Sequence, residues 1–486
     1  MRPDPRSRLL AGGTVLVGGS PVRVLRLTPA GARHVAAWWS GTPVSDHPPA
    51  RVLARRLLDT AIAHPAEDLG ALAGSWTSRD VTVVIPVRDR QAELARCLAG
   101  LAQMPRVIVV DDCSGDPAAI ARIAGAAGAR VLRRPVNGGP GAARNTGLAA
   151  ADTPLVAFLD SDCVPGPGWL DALLPHFADP AVGAIAPRIV PDEPGRTWLA
   201  RYEGASSTLD MGARASIVRP GSRVPYVPGA ALVVRKTAAG PGFAESMWVG
   251  EDVDFVWRLA ASGWRVRYEP AATMRHQHRV RLRTWFARRK DYGSSAAVLE
   301  QRHPGTVRPL HVSGWTALAW VSAASGFPAA GAAVTGVATA LLARRLARVT
   351  GGQWPWPPAR NAWQLAAQLA GGGTLAAGRP LGSAISRAWW PVALPAAVAV
   401  RRLRFPLAAL VLTPPLLDWL DRRPPLDPAR YLTARLLDDI GYSLGVWQGC
   451  AGRRTVRPLL PRLGGRHLDK PREKSPGTMT SSADRS

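Results

Sequence analysis

The chain has 486 residues, 47% of them hydrophobic, enough for two to four domains and a sizeable core. Its formal net charge of +26 would suit a nucleic-acid partner. That class is set aside: Lys supplies only four of the 61 basic residues, the Arg residues are scattered rather than striped, and no RNA-binding motif, aromatic platform or zinc spacing accompanies them.

In chain order, Val15-Leu16-Val17 and residues 22–27 predict a small β-hairpin. Thr28 and Pro29 supply an N-cap and a first-turn proline for a helix over 32–40. Residues 51–62 predict a second helix, with Val52, Leu53, Leu57, Leu58 and Ile62 on its apolar side.

From residue 81 the pattern changes to strands alternating with short helices. The β-branched run from Val81 to Val87 predicts a strand, and residues 91–101 a helix carrying Leu94, Cys97, Leu98 and Leu101. Residues 107–110 predict a buried strand ending in Asp111 and Asp112; a helix over 118–126 and a short strand over 128–132 follow. Asn137-Gly138-Gly139-Pro140-Gly141 opens a helix over 142–150, and residues 153–159 predict a buried strand that breaks at Asp160-Ser161-Asp162. Such alternation means βαβ units and a parallel sheet, and right-handed crossovers put the strand ends on one edge. Pro86, Asp112 and Asp160 therefore converge on one crevice. Two hard carboxylates at a strand end suit Mg²⁺ or Mn²⁺, which also bind phosphate oxygens. A bare D-x-D is also what a solvated turn looks like; the strands around it favour the crevice.

Four of these segments, Val84-Ile85-Pro86-Val87, Val110-Asp111-Asp112-Cys113-Ser114, Asn137 to Gly147 and Leu159-Asp160-Ser161-Asp162, resemble family 2 glycosyltransferases in order and spacing. So do Val227-Pro228-Gly229-Ala230-Ala231 and Gly250-Glu251-Asp252-Val253-Asp254, and the likeness spans roughly residues 80–270. The resemblance implies an α/β GT-A fold, a mostly parallel sheet flanked by helices, and inverting transfer from a nucleotide-sugar donor. It implies that Pro86 and Val87 contact the base through their backbone, that Asp89 adds a polar contact, and that Asp112 accepts from the base N–H. Arg144 would lie near the diphosphate. Asp160 and Asp162 would hold the metal. His276 and His278 follow the last predicted strand, 264–268; one of them, His278 first, is a further metal ligand or touches the diphosphate, or both are surface histidines of a basic loop. Asp252 is the choice for general base; Glu251 and Asp254 are its rivals and, with Gly229, belong to the acceptor side. Cys113 stands where the family more often has Gly. Arg288, Arg289 and Tyr292 occupy the region of a Gln-x-x-Arg-Trp signature of processive members, which is absent here.

The flanks narrow the resemblance. The first 79 residues are similar to winged-helix, PqqD-like modules that bind precursor peptides, and the whole chain is similar to the glycosyltransferases of mycofactocin systems. This implies a peptide-derived redox cofactor precursor as acceptor and glucose as the sugar, one or several in succession. A cell-wall or polysaccharide glycosyltransferase with a lipid or glycan acceptor, and a non-catalytic scaffold that recruits a peptide, stay open as alternatives.

No residue from 312 to 343 is charged, and Arg344, Arg345 and Arg348 follow. Two shorter apolar runs, 388–400 and 405–417, are parted by Arg401, Arg402 and Arg404. Interfacial helices on a membrane surface fit, as does a helical domain packed on itself. The expectation is membrane association with a cytoplasmic active site. Residues 1–20 lack the continuous apolar core of a signal peptide, and Cys97, Cys113, Cys163 and Cys450 match no zinc or redox spacing. The expected division is a recognition module at 1–79, the catalytic domain at 80–300, a hydrophobic helical region at 301–455 and a disordered tail at 456–486.

Overall fold

The computed structural model describes residues 1–66, 76–192, 195–278, 280–349 and 360–464. Most of the expected tail, from 465 on, lies outside them. Its first residues are ordered: Arg462–Leu463 pairs in parallel with His311–Val312.

At the amino end, strands Arg8–Leu10, Val15–Gly18 and Arg23–Arg26 form an antiparallel sheet beside helices α1 (Pro29–Trp39) and α2 (Pro48–Asp59). Thr28 caps α1 as its sequence predicts, its Oγ1 accepting from the Gly31 N–H at 3.1 Å. These elements are fastened to the catalytic sheet by charge. Asp4 accepts from His64 and Arg223 at 3.1 Å each, and Arg265 bridges Asp59 and Asp179.

The central sheet contains β1 (Val81–Val87), β2 (Val107–Asp111), β3 (Arg130–Arg133), β4 (Leu155–Leu159), β5 (Cys163–Pro165), β6 (Val182–Pro191), β7 (Ala231–Arg235) and β8 (Arg265–His276) in spatial order β5-β8-β6-β7-β4-β1-β2-β3. From β4 to β3 every pairing is parallel. Beyond β4 the sheet is mixed: β7 is antiparallel to β4 and β6, while β6 and β8 run parallel. Helices α3 (Gln91–Ala99) and α4 (Pro117–Ala126) cover one face. On the other, α5 (Gly139–Ala150) and α6 (Glu251–Ala261) pack over Val84, Val156, Phe158 and Leu232. Apolar residues on both sides of each central strand make this a buried three-layer core.

Helix α7 (Leu282–Arg302) leaves that core, and α8 (Gly314–Ala324), α9 (Pro328–Val349), α10 (Arg404–Arg422) and α11 (Pro428–Gly452) follow. The uncharged run from 312 thus breaks into a helical hairpin at Gly326 and Phe327, rather than one span. Among the described residues, only Arg401–Arg422 is long and apolar enough to cross a membrane, with mean hydropathy 1.3.

Candidate active site

The ends of β1, β2 and β4 and the glycine-rich start of α5 open into a cavity of about 730 Å³. Pro86, Val87, Asp112, Arg144, Asp160 and Asp162 line it, as do Glu251, Asp252, His276 and His278. The convergence read from strand order is therefore present.

At the nucleotide end, the Asp112 carboxylate accepts from the N–H groups of Gly138 (3.0 Å) and Gly139 (2.8 Å) and from Arg134 Nε (2.9 Å). It locks the glycine-rich turn in place and keeps a lone pair free on Oδ2. Asp89 departs from expectation. It sits at φ +54° with its Oδ1 accepting from the Gly115 N–H at 2.7 Å, and its own N–H donates to Ser114 Oγ at 3.0 Å. It ties the loop after β1 to the loop after β2 and is not among the cavity-lining residues; Arg88 and Arg90 are. Cys113 sits at φ +64°, a left-handed position that glycine would occupy without strain.

The two carboxylates of the D-x-D motif are each held by a guanidinium. Arg144 Nη2 donates to Asp160 Oδ1 at 2.7 Å, and Arg90 donates to Asp162, which also faces His276 Nε2 at 3.5 Å. Burial works against the Asp162 charge, but His276 and Arg90 outweigh it and lower the pKa. Burial, with His276 and Arg289 nearby, lowers His278 to about 3, so its imidazole is neutral. Among the described residues, the buried His278 Nε2 has no hydrogen-bond partner. No ready-made group of three or more His, Cys, Asp or Glu side chains that could hold a metal occurs among the described residues. The donor set itself, two hard carboxylates beside a neutral imidazole with an orphaned nitrogen, fits a divalent cation.

Arg144 is expected at the diphosphate; the structure makes it a clamp between the two ends of the cavity. Its side chain is 3% exposed, and besides Asp160 it donates to Glu251 Oε1 (2.8 Å) and the Gly229 carbonyl (3.3 Å). Burial and the adjacent Asp252 push Glu251 up to about 7 against the pull of Arg144. Asp252, second residue of α6, accepts at Oδ2 from the Gly229 N–H (2.7 Å) and at Oδ1 from the Val253 N–H (2.8 Å). It forms no ion pair among the described residues. A Cβ on Gly229 would stand 2.9 Å from the Asp252 Cβ and 3.1 Å from Arg144 Nη2, so glycine alone fits between these two side chains.

Asp254 is a correction. It points away from the cavity and is wholly buried, paired with Arg258 (2.8 Å), Arg302 (2.6 Å) and His303 (2.9 Å). Although burial opposes it, these three partners hold its pKa well below the usual carboxylate range. Its role is to fasten α6 to the end of α7. Sequence reasoning missed Tyr226, Arg387 and Tyr442, which also line the cavity; the last two come from segments read only as apolar helix, and no motif marks them.

A family model described as glycosyl transferase family 2 matches residues 82–238. The Pre-mycofactocin glycosyltransferase of Mycobacterium tuberculosis is 43% identical over 470 residues, covering 95% of this chain and 97% of its own. Succinoglycan biosynthesis protein ExoU of Rhizobium meliloti is 30% identical over 210 residues, 39% of this chain and 59% of its own. Among solved structures, the mannosyltransferase PcManGT from Pyrobaculum calidifontis in complex with GDP-Man and Mn²⁺ superposes with a TM-score of 0.36 at 21% identity, over 60% of this chain and 86% of its own. The first of these likenesses runs nearly end to end, and with it the chain belongs to the family 2 glycosyltransferases, within them to the mycofactocin type.

Proposed function

We propose that the chain transfers a sugar, glucose by its resemblance, from a nucleotide-diphosphate donor to a peptide-derived redox cofactor precursor of the mycofactocin type, with inversion, once or in succession. The supporting observation is a single cavity lined by Asp160 and Asp162 and by Asp252, which forms no ion pair among the described residues. Asp252 is the general base: its carboxylate takes the acceptor hydroxyl proton as the oxygen attacks the anomeric carbon. The Gly229 and Val253 N–H groups orient it. Asp112 and the backbone at Pro86 and Val87 seat the base. Asp160 and Asp162, with His278 beside them, would hold Mg²⁺ or Mn²⁺, which as a Lewis acid stabilises the departing diphosphate. Arg144 balances Asp160 and Glu251, so that the donor's negative charge enters a compensated site.

The expected division of labour also enters here. The first 79 residues serve to recognise the peptide-derived acceptor, residues 80–300 to catalyse, and residues 301–455 to rest on the cytoplasmic face of a membrane. In support of the last, residues 301–417 contain no Asp or Glu. Val392, Val398 and Phe405, the last 82% exposed, stand out beside Arg401, Arg402 and Arg404, a pairing that suits anionic lipid.

The test is donor hydrolysis without acceptor. The wild-type protein hydrolyses its nucleotide sugar slowly when Mn²⁺ is present, and D162N does not. Equal rates with and without metal, or in both proteins, would remove the D-x-D motif from the chemistry.

A further inference from the structure

The acceptor end of the cavity is walled by helices that lie far along the chain from the family 2 core. Helix α11 packs on α7 at backbone distance. A Cβ on Gly293 would come within 1.9 Å of the Tyr442 carbonyl, and one on Gly445 within 1.9 Å of the Lys290 carbonyl. Gly441, Gly445 and Gly449, four residues apart, thus form a ridge without side chains that lets the two helices approach. This sets Tyr442 against the cavity. Arg387, in the segment Ile385–Trp389, lies with its guanidinium 4.2 Å over the Tyr442 ring and is anchored by Asp439 at 3.2 Å. Across from them, Arg288 lies 4.9 Å over the Tyr292 ring and has no carboxylate partner among the described residues. Tyr226 completes the wall: Arg387, Tyr442, Asp252 and Tyr292 all act on its hydroxyl, which burial pushes up to about 12.

We propose that this wall is a stacking subsite for the acceptor. It takes a six-membered ring, stacked by one face, that offers an oxygen to Arg288, and it does not suit an extended alkyl chain. The inference rests on the transfer reading above, since it assigns the acceptor side of that cavity. Aromatic faces and guanidinium planes hold an aromatic ring by stacking and a pyranose by its C–H face, while an alkyl chain offers Arg288 no oxygen. Two sources carry the required chemistry: the ring of a bare acceptor, or a pyranose already attached to it.

Saturation-transfer NMR on the full chain tests this without turnover, using p-cresol, cellobiose and 1-octanol as probes. At least one of the two ring probes binds saturably and octanol does not; p-cresol alone assigns the bare ring, and cellobiose alone assigns the sugar. Tyr442→Ala weakens the bound ring by about fivefold, the scale of one lost stacking partner, while Tyr442→Phe keeps it. Thermal unfolding checks that Y442A is folded; if it is not, Arg288→Gln, at the cavity wall on α7, carries the same expectation. Ring binding equal in wild type and the folded variant, or octanol binding as well as the rings, overturns the subsite. So does failure of both rings to bind the wild type. Loss of Mn²⁺-dependent donor hydrolysis in the wild type would instead overturn the transfer reading, and leaves the ring titration to be judged separately.

Discussion

The two ends of the cavity are built in opposite ways. The nucleotide end is made of strand termini and the turns that follow them, so its residues fall in short runs: Pro86 and Val87, Asp112, Asp160 and Asp162. The acceptor end is made where helices cross, and Tyr226, Arg288, Arg387 and Tyr442 come from four separate stretches of chain. In an open α/β sheet the topology puts every strand end on one edge, whereas a helix crossing leaves no comparable local signature. Motif reading therefore finds the first and overlooks the second.

The contrast can be broken at its hinge. D252N should lower kcat by about 10²–10⁴-fold while donor affinity, measured by titration, stays near wild type, because the base acts on the acceptor proton alone. Weakened donor binding with kcat intact would place Asp252 at the wrong end. A smaller effect is expected at the joint between the halves. Asp254→Asn should cost about 3 kcal/mol at neutral pH by leaving Arg302, Arg258 and His303 without their shared acceptor. The folded pKa of Asp254 is lowered, so its stabilisation is complete above the unfolded-state carboxylate pKa and is lost as pH falls through the folded one. Denaturant unfolding should show the D254N deficit shrinking toward acid pH; a deficit independent of pH would contradict the ion-pair account.

Gly445→Val sharpens the contrast from the other side. Its side chain would collide with the Lys290 carbonyl. It should cost about 1–3 kcal/mol and raise the acceptor KM more than the donor KM in steady-state kinetics. The smallest change is expected at the nucleotide end, where Cys113→Gly relieves a left-handed strain and should stabilise by up to about 1 kcal/mol in thermal unfolding.

The fold was legible where periodicity and strand chemistry agree. The strands from Val81 to Leu159 fall within a few residues of their predicted bounds, and β8, predicted only over 264–268, is longer than its local pattern. It runs on to His276 because its far end pairs with β5 and β6, a long-range event that no local pattern encodes. The site was legible as a set of residues and less so as a set of partners. Asp112, Arg144, Asp160, Asp162 and Asp252 were named from their runs, yet that Arg144 joins Asp160 to Glu251 depends on a 107-residue separation closed by the fold. Asp254 shows the reverse limit: two residues after Asp252 on a helix it turns to a different face, and only Arg302 and His303, from another helix, reveal its task.

The glycine ridge on the last helix also has an evolutionary edge. Gly445 and Gly449 face backbone atoms of α7 and Gly441 faces the Arg289 and Phe286 side chains, so larger side chains cannot drift in and the three act as a three-position marker. Homologues that keep all three small should share the tyrosine-and-arginine wall, and those that fill them have had to choose another way to recognise what they glycosylate.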